Sequence, residues 1–198
     1  RAATTQNPND RNLFPNARNA NGGLTNIASQ LQMILRLLSA QGPLKMRRQI
    51  FFCSMGGYDT HDNELTDHAN LMKTISDAVH DFYRATETLG LSDRVTLFTA
   101  SDFNRTFNSN GKGSDHAWGS HHFVVGGGVQ GGKLYGQMPI LHSGGPDDTG
   151  SRGSWIPTTS TDAYSATLAK WFGEEPGNMP LVFPNIGRFP AADLGFLG

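Results

Sequence analysis

The sequence holds one cysteine, Cys53, in 198 residues. That excludes an intrachain disulfide and any cysteine-rich metal site. Inside the apolar run IFFCSM, a lone thiol reads as a small buried apolar group. Charge is also sparse. Charged residues make up 17% of the chain, and 16 basic against 17 acidic residues leave a formal charge of -1. Phosphate binding needs a concentrated basic surface, so no nucleic-acid partner is expected. The longest basic cluster, KMRR (residues 45–48), reads as a solvated loop. No apolar stretch approaches the roughly 18 residues that cross a bilayer, so no membrane span is expected. A secretory signal core is lacking and the chain opens on Arg1. The expectation is a processed mature chain or a piece of a longer protein.

Glycine is abundant, with 24 residues. With the many asparagines it gives a loop-rich balance common in exported bacterial proteins, and the length suits one domain with a real core. Residues 1–23 are polar, Asn-rich and aperiodic, and read as an extended arm or linker; residues 24–198 carry the domain. Leu24, Ile27, Leu31, Ile34, Leu35 and Leu38 recur at helical spacing, which predicts a helix over 24–40 stopped by Gly42 and Pro43. The apolar run 49–55 reads as a strand buried on both faces. A second helix is predicted over 63–89, with Met72, Ile75, Val79, Phe82 and Thr86 on one face. Lys73, Asp77, Asp81 and Arg84 lie toward the other, and Gly90 ends it. Residues 94–100 (RVTLFTA) read as a second buried strand. This alternation predicts an α/β fold with a mainly parallel sheet flanked by helices. Further on, 122–125 read as a strand and 126–132 as a glycine-rich turn. Residues 133–135 read as the return strand of a late β-hairpin. A last helix starts at Ser160 or Thr161 and is closed by Gly173.

In a parallel sheet the loops after the strands gather at one edge, where ligands bind. The stretch GGYDTHD (56–62) follows the first expected strand and Asp102 follows the second. The loop over 102–120 brings Asp115 and His116. Carboxylate and imidazole donors without thiolate suit zinc, manganese or iron, and carboxylates with water suit magnesium or calcium. Blander readings stand beside this. Asp59 can cap a turn or the helix that follows, Asp102 can close a turn with Asn104, and Asp115 with His116 can be a polar loop pair. His68 and His80 read as helix surface. His121 and His122 alternate at a strand start, so at most one faces the edge. His142 lies in a Pro/Gly loop with no role assigned. GGGVQGG fits neither phosphate-loop spacing, and a hairpin turn is preferred. Ser54, Ser101 and Ser120 are outside any G-x-S-x-G elbow.

Taken in order, GGYDTHD, TASDFNRT, GSDHAWGSHH and VVGGGVQGGKLYG resemble the bacterial family DUF1501 over roughly residues 24–189. The resemblance implies the alkaline phosphatase and sulfatase superfamily, of which this chain looks like a C-terminal portion. It implies a divalent metal, zinc first, with manganese, magnesium or calcium as alternatives. By position, Asp59 and His61 look like a metal-binding pair, Asp102 like the carboxylate after the next strand, and His116 like the late histidine. Asp115 is a weaker ligand candidate. Arg105 is placed to bind a tetrahedral anion through its guanidinium fork. The implied function is a metal-dependent hydrolase-like protein acting on small phosphate or sulfate esters, exported by the twin-arginine route to the periplasm or beyond. Phe103 stands where the superfamily has another ligand, and Asn104 replaces the family's usual glycine. The nucleophile is expected outside this chain, on an N-terminal segment of the same protein. The alternatives are a non-catalytic exported binding or structural protein, or one component of an assembly whose partner supplies the missing strands.

Overall fold

The computed structural model describes residues 7, 8 and 10–198. Residues 1–6 and 9 of the expected arm lie outside the described residues. The chain divides into two compact units, Arg1–Val95 and Thr96–Gly198.

The first unit is built on two helices, α1 (Asn26–Ser39) and α2 (Glu64–Thr88). α1 starts where Thr25 accepts a hydrogen bond from the Ala28 N–H, which satisfies one donor of the first turn. Its apolar spacing buries Ile27, Ala28, Leu31 and Leu35, and α2 buries Ala78, Phe82 and Ala85. Phe14, from the segment before α1, is fully buried, a transfer that contributes about 2–3 kcal/mol. Asp81 is the exception to the helical pattern. The sequence places it on the polar face of α2, yet it is 1% exposed. Its carboxylate accepts hydrogen bonds from the Asn16 N–H at 2.8 Å, the Asn16 side-chain amide at 2.7 Å and the Ala17 N–H at 2.9 Å. Those donors are what make a charge tolerable there.

The second unit contains four short strands, β1 (Thr96–Phe98), β2 (Asn104–Arg105), β3 (His116–Ala117) and β4 (Val124–Gly126). It also holds the helices α3 (Thr161–Phe172) and α4 (Met179–Val182). β1 pairs antiparallel with β4, with Leu97 opposite Val125. β2 pairs antiparallel with β3, with Arg105 opposite His116. Ser160 caps α3 by accepting from the Ala163 N–H, and Gly173 ends it at φ 106°, the left-handed conformation that glycine adopts without strain. Ala163 and Ala166 of α3 pack with Met179 and Ile186 as a small core.

The expected parallel sheet flanked by helices is not formed. Among the described residues the sheets are these two antiparallel pairs, each of two strands. The run 49–55, expected to be a doubly buried strand, joins no ladder: Ile50 is 77% exposed and Phe52 90%. At Ser54 the side-chain amide of Gln30 stands in for a strand, accepting from the Ser54 N–H at 3.0 Å and donating to its carbonyl at 2.8 Å. The late hairpin is also absent, since residues 133–135 are not a strand and Leu134 is 90% exposed. Val129 instead bridges to Leu197. In each case the apolar pattern supplied strand side chains, but no neighbouring chain offered the backbone partners a ladder requires.

Candidate metal-binding residues

In the first unit, residues 56–61 carry the Asp-Thr-His stretch. Gly57 has φ 99°, and a Cβ built there would stand 3.2 Å from Leu71 Cδ2 on α2, so the turn requires glycine. Beyond it, Asp59 Oδ1 lies 3.0 Å from His61 Nε2, and the His61 N–H donates to the Asp59 carbonyl at 3.1 Å. Both side chains are exposed, while Thr60 between them is buried, with its hydroxyl lacking a protein partner. Alternation along the chain thus turns both donors to one side. Ligand atoms bound to one ion at about 2.1 Å, at 90–109° to each other, stand about 3.0–3.4 Å apart. The observed pair fits that spacing, and its chemistry suits a borderline cation. The residue that precedes α2 is Asn63, with φ 53° and no side-chain capping bond.

In the second unit, Asp102 is exposed just before β2, and Arg105 and His116 face each other across the β2–β3 pair. Phe103 organises both. The His116 ring stacks on it at 4.2 Å between centroids and 14° between planes, and the Arg105 guanidinium lies 5.7 Å from its centre. The sequence reading treated Phe103 only as a lost ligand; its neighbours after Asp102 gave no signal of this role. Arg105 donates through Nε to the Ser114 hydroxyl at 3.2 Å and through a terminal nitrogen to the Ser114 carbonyl. Asp115 is drawn elsewhere. It forms an ion pair with Arg152 and accepts from the Asn110 side-chain amide at 3.2 Å. Arg152 was not among the sequence candidates, because 37 residues separate the partners.

His68, His80, His121 and His142 are exposed. Tyr164 donates its hydroxyl to the Thr99 carbonyl at 3.1 Å, and burial pushes its phenol up to about 12, so it holds its proton at neutral pH. The Asp148 carboxyl lies below the usual range because the Gly144 N–H donates to it, with further bonds from Gly153, Ser154 and Gly150.

The family model for a protein of unknown function, DUF1501, matches residues 15–149, well over half of the chain. Every candidate residue named above lies within that span, whereas Arg152 and α3 lie beyond it. No curated protein matches the chain, and no solved structure does. On the family match, the chain belongs to the DUF1501 family.

Proposed function

We propose that this chain is part of a metal-dependent, hydrolase-like protein of the alkaline phosphatase and sulfatase superfamily, acting outside the cytoplasm on small phosphate or sulfate esters. Asp59 and His61 hold the divalent cation, zinc before manganese, magnesium or calcium. The single observation supporting this is their exposed pair of donors 3.0 Å apart on a glycine-shaped turn. The superfamily relation rests on the four sequence motifs and not on the strand arrangement. When bound, such an ion polarises a phosphoryl or sulfuryl oxygen and lowers the pKa of its water.

Asp59 contributes charge neutralisation and His61 a neutral nitrogen donor, which must lose the proton it can share with Asp59. Arg105 supplies the anion fork, for which it must exchange its bonds to Ser114. Asp102 and His116 stay donor candidates on the sequence motifs alone, and Asp115 ranks below them because Arg152 engages it. No residue of this chain is assigned as nucleophile. The non-catalytic binding reading is favoured by one observation: Phe103 fills the place of a ligand and serves to pack His116.

Equilibrium dialysis against zinc tests the proposal. One ion per chain is expected, with His61→Ala or Asp59→Ala weakening binding by tenfold or more and Asp115→Ala changing it less than twofold. His116→Ala and Asp102→Ala decide whether those donors take part. Absence of stoichiometric zinc, or full retention in His61→Ala, refutes it. Turnover on a panel of phosphate and sulfate esters separates the enzyme from the binder.

A further inference from the structure

We infer that residues 49–55 are an acceptor edge to which an extended polypeptide segment with an acidic flank adds as a β-strand. Four observations within the first unit carry this, and none depends on the metal reading. Exposure alternates along the run: Ile50, Phe52 and Ser54 face out, while Phe51, Cys53 and Met55 are half-buried. That is the period of a strand lying on its own unit. Among the described residues, no backbone hydrogen bond engages residues 47–58, and Ser54 is served by the Gln30 amide alone. Eight or more peptide groups in a row without backbone partners are uncommon in a folded chain.

The outward side chains are among the most exposed large apolar groups of the molecule, at 77% for Ile50 and 90% for Phe52. Such apolar exposure beside a polar surround marks an interaction site. The fourth observation is charge. From residue 11 to residue 58 the sequence has six basic residues and no Asp or Glu, and Lys45, Arg47 and Arg48 immediately precede the run.

Basic and apolar groups together would also suit an anionic lipid surface. The backbone decides against it. A bilayer offers no partner to unpaired N–H and C=O groups, each of which costs several kcal/mol there, whereas an added strand satisfies them and takes the apolar side chains at alternate positions. The basic flank then selects a segment whose end beside residues 45–48 is acidic.

The test uses the full chain and a displayed library of eight-residue peptides. An enriched peptide is remade in two forms, one with ordinary amides and one N-methylated at alternate amides. The expected result is an acidic end on the enriched peptide and a tenfold or greater loss of affinity in the N-methylated form. Binding should slow hydrogen exchange at the amides of residues 50–53, and Phe52→Pro should abolish it with the helical circular dichroism unchanged. Failure to enrich any peptide overturns the inference, as does equal binding of the N-methylated form or protection at other residues. Two further outcomes also overturn it. One is concentration-dependent dimerisation that protects the same amides, which would make a second copy the occupant. The other is cosedimentation with vesicles containing anionic lipid, which would make it the membrane.

Discussion

Replacing Asp81 by alanine should unfold the first unit more readily than any other single change to a charged residue of α2. The carboxylate holds three donors from the segment before α1, and they differ in what happens when it goes. Asn16 is exposed, so its N–H and its side-chain amide can turn to water. Ala17 is 1% exposed, and its N–H would be left buried without an acceptor, a penalty of about 1–3 kcal/mol. Charge-assisted bonds exchanged for water add about 1 kcal/mol, and relief of the buried charge takes part of this back. The net expectation for Asp81→Ala is about 1–3 kcal/mol. Asp81→Asn keeps one oxygen and should lose about half of that. Urea unfolding followed at 222 nm reads the first unit, because α1 and α2 hold 14 and 25 of the helical residues. Tryptophan fluorescence reads the second, since Trp118, Trp155 and Trp171 all lie there. At about 1.5 kcal/mol per molar urea, the midpoint at 222 nm should fall by about 0.7–2 M. A fall below about 0.3 M would mean that the carboxylate does not hold the segment, and the reasoning fails.

Two other perturbations follow from local geometry. The Asp148 carboxyl is held below the usual range by backbone N–H groups, the Gly144 bond first, so its folded pKa is below its unfolded one. The stability it contributes is therefore present above about pH 4 and is lost as pH falls through the folded value. Trp155, which bridges to Asp148, should report this as an acid transition in fluorescence that Asp148→Asn removes; an unchanged transition would dismiss the idea. Gly57→Ala puts a Cβ at 3.2 Å from Leu71 on a backbone at φ 99°, and should cost about 1–2 kcal/mol by urea unfolding at 222 nm. A neutral result would show that the turn does not need its left-handed residue.

The three long helices were legible in the sequence, with ends within two residues of those found. So were the Ser160 cap and the Gly173 stop, since caps and stops act on the adjacent turn. Of the candidate site, the residue types and the Asp59–His61 pairing were legible, because two residues apart on one turn is a local relation. The stacking of His116 on Phe103 and the engagement of Asp115 by Arg152 were not. Neither was the burial of Asp81, whose donors lie 64 and 65 residues away. On a helical wheel it is one more polar residue beside Lys73, Asp77 and Arg84.

The strands mark the limit most clearly. Residues 94–100 were expected as a strand of a parallel sheet and supply β1, which pairs antiparallel with β4. Residues 49–55 had the stronger apolar pattern and have no ladder. By itself the sequence determined the helices and the family, because a helix closes its hydrogen bonds four residues away and motifs are read in order. Only the tertiary structure decided which strands exist, what faces them and which charges are buried, because a ladder or a buried carboxylate takes its partners from distant chain, and side-chain pattern does not name them.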